Sequence, residues 1–252
     1  MEHWTDQGLL LSARTHGDSG AVAKLFTETR GLFAGYVYGA ASSATRPALE
    51  PGTLVQAGWS ARTHDQLGTL KLEILQQPAA LMMQDRLKLT ALHAICALLE
   101  LTLPEREPHT ELFHTTAALL TIMAHGADNI ESWGASYVKW EISLLRELGF
   151  SLDLSRCAGG GSAHELAYIS PKSGCAVSYR AGEPYKDKLL PLPAFLKPNG
   201  GPSDCEEILK GLNVTLTFLE KWVFAQHTQG VPDARTQIGR LIATSSEAQT
   251  VS

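Results

Sequence analysis

The sequence has few cysteines, no long apolar run and no recognisable export signal. Its four cysteines are too scattered along 252 residues to form a disulfide framework. No stretch approaches the ~20 apolar residues of a membrane span, and the N-terminal residues contain no apolar signal-peptide core. We therefore expect a soluble protein without membrane segments in a reducing, cytoplasmic setting.

The short motifs that carry common catalytic chemistry are also missing. The sequence contains no G-x-S-x-G, no phosphate-cradling G-x-x-x-x-G-K and no H-E-x-x-H. The pair His164-Glu165 lacks the second histidine of a metalloprotease helix, and none of the nine histidines has ligand spacing with another. We therefore predict that the protein is not an enzyme and uses no cofactor.

Charge is unevenly distributed along the chain, whose formal net charge is −5. Residues 1–78 carry six Lys or Arg against seven Asp or Glu, and residues 79–150 carry five against nine. Residues 151–252 carry ten of each sign. Any contact with nucleic acid must therefore come from a local face of the molecule and not from bulk charge.

The first third of the chain has a strand pattern. Five short apolar-rich runs separated by turn residues cover residues 8–14, 21–27, 31–39, 55–62 and 67–75. In the third run, Leu32, Ala34, Tyr36 and Tyr38 alternate with Phe33, Gly35 and Val37. This period of two is typical of a β-strand, and the glycines at 31, 35 and 39 favour bends or bulges. Five strands in about 75 residues favour a closed five-stranded oligonucleotide-binding (OB) barrel.

The remainder of the chain is predicted to be helical, with one small β-hairpin. Periodicity and capping boxes predict helices over residues 79–103, 110–125 and 128–148. A second capping box at Ser203 precedes the apolar residues 208–212, a further helix is predicted over 213–226, and a short last helix follows Pro232. Two extended runs around residues 171–174 predict the hairpin. The expected fold is α+β, with a barrel domain over 1–78, a helical domain over 79–252 and a hairpin insert at about 155–190.

Cys157 and Cys175 lie where a zinc ribbon would place two C-x-x-C knuckles, but each half has only one thiol. Cys205 and His164 could in principle complete four ligands, although their spacing is irregular. We therefore predict a hairpin without bound metal.

Taken in order along the chain, several motifs resemble the RecO family of bacterial recombination mediators. They are the opening W-x-x-x-G-L-L-L from Trp4 with H-G-D-S from His16, T-x-x-x-G-L from Thr27, L-E-P-G from Leu49, L-x-x-L-G-F-x-L-D-L-x-x-C from Leu145, and Y-I-S-P-K-S-G from Tyr168. The incomplete cysteine set resembles the zinc-less branch of that family, in which the hairpin would be a degenerate zinc ribbon.

This resemblance implies an N-terminal OB barrel followed by a helical domain, and a non-catalytic function in DNA repair. It implies binding to single- and double-stranded DNA and annealing of complementary strands. The implied partners are RecR and the C-terminal tail of single-stranded DNA-binding protein, with help in loading RecA. The implied location is the bacterial cytoplasm, with nucleoid association during repair.

One region departs from the family pattern, because only Arg46 remains basic in the stretch after the third strand, residues 38–46. The predicted DNA-binding residues are basic side chains that would pair with phosphates and two tyrosines that would stack on bases. They are Arg14, Lys24, Arg30, Arg46, Arg62 and Lys71, with Tyr36 and Tyr38. Lys186, Lys188 and Lys197 form a possible second surface. The alternative is a protein-interaction adaptor whose barrel has lost most DNA affinity.

Overall fold

A computed structural model describes residues 2–63 and 65–250 of the chain. The chain divides into two compact units. The first contains the residues up to His125 together with Pro232–Arg235, and the second contains Gly126–Val231 and the chain from Thr236. An N-terminal barrel followed by helices and a small second sheet confirms the predicted α+β class. The predicted domain boundary at residue 78 stays a prediction.

Five strands of the first unit close into a barrel, as predicted. They are β1 Glu2–His16, β2 Gly20–Thr27, β3 Gly31–Val37, β4 Leu54–Ala61 and β5 Thr69–Gln76. Their order around the barrel is β1-β2-β3-β5-β4, and neighbouring strands are antiparallel, apart from the parallel contact of β3 with β5.

Alternate side chains of each strand fill the barrel interior. In β3 the inward side chains are Phe33 and Val37, and both are buried, which confirms the predicted alternation. Gly35 lies between them, and there is no room for a side chain at this position, since an added Cβ would lie 2.5 Å from Leu70 Cγ. The predicted bulges in β3 are absent from its described pairing with β2, which keeps an even register. The register shifts occur instead in β1, between Leu10 and Ser12, and at the start of β4.

The first strand starts six residues earlier than the predicted run, because its polar half also belongs to the barrel. Trp4 and Asp6 are buried there, and Trp4 stacks on Trp59 at a ring distance of 5.8 Å. Asp6 accepts hydrogen bonds from the Thr29 amide and hydroxyl, both at 2.9 Å. This buried carboxylate therefore fixes the turn between β2 and β3.

Helices cover one side of the barrel, and the predicted single helix over 79–103 is divided in two. The first turn, α1, is Pro78–Leu81, and α2 is Arg86–Thr102. The break occurs because Asp85 caps α2, its side chain accepting from the amides of Leu87 and Lys88. The predicted apolar stripe of α2 is buried. Helix α3, Thr110–His125, packs Phe113 edge-on against Phe26 of β2.

The main helices of the second unit are α4 Gly134–Glu147, α6 Cys205–Phe218 and α7 Asp233–Thr250. The first three residues of α7 are counted with the first unit. The predicted helix over 128–148 is interrupted, because Asn129 caps a 3-10 turn, Ile130–Ser132, and α4 begins only at Gly134, without a side-chain cap. The predicted cap at Ser203 is displaced by one residue, since the Asp204 side chain accepts from the Glu207 amide. Helix α6 is continuous where the sequence predicted a new helix at 213, and it ends in a π-helical turn. The last helix is longer than predicted. None of the described helices has both the length and the apolar content needed to cross a bilayer.

The predicted hairpin is present as β6 Leu166–Ile169 and β7 Ala176–Ser178, and a short β8, Leu190–Pro191, adds a third strand on the other side of β6. A short helix, α5 Tyr179–Gly182, and a 3-10 helix, Glu183–Lys188, connect β7 to β8. We call residues 156–197 the ribbon.

Candidate nucleic-acid interface

Strand register places a basic and an aromatic side chain in one row on the outside of the barrel. Arg14 of β1 lies opposite Val22 of β2, Val22 lies opposite Tyr36 of β3, and Tyr36 lies opposite Thr69 of β5. Directly paired residues share a face, and the next residue along β2, Ala23, points into the core. The row therefore faces outward. We call the surface around it the outer face.

Two loops border Tyr36 on this outer face. Its hydroxyl occupies the space above Gly20, where an added Cβ would meet it at 1.8 Å, so it lies against the end of the β1–β2 turn. Its backbone amide donates a 2.9 Å hydrogen bond to the carbonyl of Gly68, the last residue of the β4–β5 connection. Tyr36 is therefore held between the two loops that border the ligand-binding face of OB barrels.

Aromatic rings extend the surface from Tyr36 towards solvent. Tyr38 lies 4.7 Å from Tyr36, ring centre to ring centre, and is 70% exposed. The His16 ring also lies edge-on to Tyr36, at 6.0 Å. Sequence reasoning missed His16, although its position two residues after Arg14 places it on the same side of β1. The three rings offer flat surfaces on which bases can stack.

Three predicted cations lie on or beside the outer face. Arg14 is exposed in the row itself. Lys71 is exposed on β5, two residues after Thr69, and so points in the same direction. Arg62 is exposed at the start of the β4–β5 connection, where its amide donates to the Gln66 side chain at 3.2 Å. The structure thus brings these three cations to the side of the barrel that carries Tyr36.

The other predicted cations are placed differently. Lys24 is on the outer face, but its Nζ is 3.6 Å from the Glu100 carboxylate of α2 and its side chain is only 35% exposed. Arg30 follows the far end of β2, where its guanidinium lies over the Trp4 ring at 5.5 Å. Arg46 lines a cavity of about 370 Å³ whose lining also includes Asp18 and Glu50. Lys24 thus has a carboxylate partner and Arg30 an aromatic one, while Arg46 lines a cavity and lies outside the row of Tyr36.

In the ribbon, Cys157 is distinctive because the Ser178 amide donates a 3.1 Å hydrogen bond to its sulfur. Partial burial opposes ionisation, but hydrogen bonds from Ser178 and from the amides of Gly161 and Gly159 outweigh it and lower the pKa of Cys157 to about 7. All four cysteines are free thiols. Within residues 2–63 and 65–250, no cluster of three or more His, Cys, Asp or Glu side chains is arranged to hold a metal ion. The prediction of a metal-free hairpin stays a prediction.

A closed five-stranded barrel with a basic and aromatic outer face between two loops defines an OB-fold protein. The sequence matches the family models for the recombination protein O N terminal region over residues 1–78 and the C terminal region over residues 83–226. The chain belongs to the RecO family of DNA repair proteins, which confirms the resemblance found in the sequence.

Relatives from several bacteria match almost the whole chain. The DNA repair protein RecO of Rhodospirillum centenum is 48% identical over 238 residues, which cover 93% of this chain and 92% of the relative. Those of a Ruegeria species and of Caulobacter vibrioides are 45% and 43% identical, over 92% of this chain and 95% and 94% of the relatives. The similarity therefore extends over both compact units.

Proposed function

We propose that this chain is a non-catalytic recombination mediator that binds single-stranded DNA on the outer face of its barrel. The observation that carries the proposal is the register that places Arg14 and Tyr36 in one outward-facing row, with Tyr36 held between two loops. Membership of a DNA-repair family supports it. The protein acts in the bacterial cytoplasm and associates with the nucleoid during repair.

Binding requires no bond-making residue. The phosphate chain is the one feature that all DNA sequences share, so Arg14, Arg62 and Lys71 provide affinity by pairing with phosphates. Tyr36 and Tyr38 stack on bases without reading their sequence. Annealing then needs only that two complementary strands are held together with their charge neutralised. Double-stranded DNA binds through the same phosphate contacts.

The proposed partners follow from the family. They are RecR and the C-terminal tail of single-stranded DNA-binding protein, and the chain helps to load RecA onto the strand it holds. A weak to moderate DNA affinity is compatible with this task, because the strand must be released to the next protein.

A protein-interaction adaptor is the second candidate function, favoured by the charges of the barrel. Residues 1–78 carry one more acidic than basic residue, and the Lys24 ammonium already faces the Glu100 carboxylate. An adaptor of this kind would keep the fold and the partners but would lack salt-dependent binding to DNA.

Titration of a fluorescent single-stranded oligonucleotide over a series of salt concentrations distinguishes the two functions. Three or four phosphate contacts at about −0.7 each predict a slope of roughly −2 to −3 for log K against log salt. The Arg14→Ala, Arg62→Ala double variant should flatten the slope by up to about 1.4. Lys139→Ala with Arg240→Ala removes the same charge from exposed positions of the second unit and serves as the control.

If the parent protein shows no salt-dependent binding, the adaptor function is correct. If the parent binds and the barrel variant keeps both affinity and slope, the strand binds elsewhere on the molecule.

A further inference from the structure

The ribbon is basic in a chain that is otherwise acidic. Residues 156–197 carry six Lys or Arg against three Asp or Glu, whereas the whole chain has a net charge of −5. Most of these cations are exposed to solvent. The local excess of positive charge is therefore larger here than in the barrel, whose residues 1–78 have a net charge of −1.

Two tyrosines of the ribbon expose their rings next to these cations. Tyr179 is 52% exposed and Tyr185 is 62% exposed. Tyr179 is held in place because its ring stacks on that of Tyr168 at 6.3 Å, with 21° between the ring planes. Its hydroxyl donates a 3.2 Å hydrogen bond to the Glu183 carboxylate. One face of Tyr179 is thus packed against protein, which keeps the ring orientated as a platform.

The cations around Tyr185 lie on a 3-10 helix whose six residues, Glu183–Lys188, are all exposed. With three residues per turn, Tyr185 and Lys188 lie on the same side of this helix, while Lys186 lies on the side of Glu183. Arg180 precedes the helix, and its only described ion pair is a 3.8 Å contact with Glu165 made by a side chain that is 85% exposed. Such a solvated pair is weak and leaves the guanidinium accessible.

We propose that the ribbon binds a second segment of single-stranded nucleic acid, with bases on Tyr179 and Tyr185 and phosphates on Arg180, Lys186 and Lys188. The inference rests on the proposed function of the barrel and extends it to a second strand-holding surface. Interleaved aromatic and basic side chains fit nucleic acid, because both the bases and the phosphates find partners. An acidic peptide would use the cations alone.

The test uses the full chain carrying Arg14→Ala and Arg62→Ala, so that the outer face does not mask binding at the ribbon. Affinity for a short fluorescent oligothymidylate is measured against salt before and after Lys186→Gln and Lys188→Gln are added. The added changes should flatten the slope by up to about 1.4. The pair Lys139→Gln and Arg240→Gln is the matched control and should leave the slope unchanged.

A second pair of changes, Tyr179→Leu and Tyr185→Leu, separates stacking from charge. Loss of stacking should weaken binding roughly five- to hundredfold per base while leaving the salt slope intact. All of these side chains are exposed, and a thermal melt checks that each variant remains folded.

The outcomes separate the two claims. If the barrel changes reduce binding and the ribbon changes have no further effect, the ribbon proposal is wrong and the barrel function stands. If the parent protein binds no oligonucleotide, the ribbon proposal and the proposed function of the barrel are both wrong. If the lysine pair matters, the tyrosine pair does not, and a polyglutamate peptide displaces the oligonucleotide, the ribbon is a site for acidic peptides instead.

Discussion

Two glycines on opposite faces of the barrel wall make a sharp test of its architecture. A Cβ on Gly35 would lie 2.5 Å from Leu70 Cγ, 2.7 Å from Leu70 Cδ1 and 3.4 Å from the Trp59 ring. Leu70 is 2% exposed and Trp59 is 1% exposed, so neither side chain has open space into which it can move. On Gly58 of β4, an added Cβ meets no atom within 4 Å.

Gly35→Ala should therefore destabilise the protein by about 1–3 kcal/mol, the usual cost of overpacking a core. Gly58→Ala should be neutral or should stabilise by up to about 1 kcal/mol, because alanine restricts the unfolded chain more than glycine does. Thermal unfolding followed by circular dichroism measures both, at about 2–4 °C per kcal/mol for a chain of this size. Equal effects of the two substitutions, or a more stable Gly35→Ala protein, would refute the assignment of inner and outer faces.

Three further predictions concern the second unit and the cysteines. Trp140→Ala should lower the free energy of unfolding by about 3–5 kcal/mol in urea denaturation, because the indole is 2% exposed; an unchanged midpoint would contradict a core role. Alkylation of Cys157 by iodoacetamide should accelerate with a midpoint near pH 7, since only the thiolate reacts, whereas burial raises the pKa of Cys96 to about 12 and should leave it inert. Elemental analysis of the purified protein should find no stoichiometric zinc, because each half of the hairpin has one thiol; one zinc per chain that disappears in Cys157→Ser would overturn this.

The strand pattern was sufficient to predict the barrel, because the alternation of apolar residues directly reports which side chains face inward. It missed the N-terminal half of β1, where a buried polar residue, Asp6, interrupts the apolar pattern. That carboxylate accepts a hydrogen bond from the neighbouring Gln7 amide, and two more from Thr29, which is 23 residues away. Such long-range compensation leaves no local signal in the sequence.

The predicted starts of two helices were also wrong. Asp128 satisfies the capping-box spacing, yet Asn129 caps a 3-10 turn there and α4 begins only at Gly134. Ser203 satisfies the spacing as well, yet the neighbouring Asp204 accepts the capping bond of α6. Ser, Thr, Asp and Asn can all cap a helix, so neighbouring candidates look equivalent in the sequence.

The cations of the candidate site could be predicted from the sequence, but the side chains that lie around each of them could not. Lys24 and Arg14 look equivalent in the chain, since each lies in a predicted strand. Only the fold shows that Glu100, 76 positions after Lys24, faces its ammonium, while Arg14 stays exposed in the row of Tyr36. Cross-strand register depends on pairing across the whole barrel, so it cannot be predicted from the residue types of a single strand.

Photo-crosslinking tests the central claim, that the outer face of the barrel binds single-stranded DNA, most directly. An oligonucleotide containing 5-iododeoxyuridine is bound at low salt, irradiated and digested, and the crosslinked residues are identified by mass spectrometry. Bases stacked on the outer face should crosslink to Tyr36 or Tyr38, and the Arg14→Ala, Arg62→Ala variant should reduce the yield at both. Crosslinks that are confined to other parts of the chain, with none on the peptide that contains residues 36–38, would contradict the account.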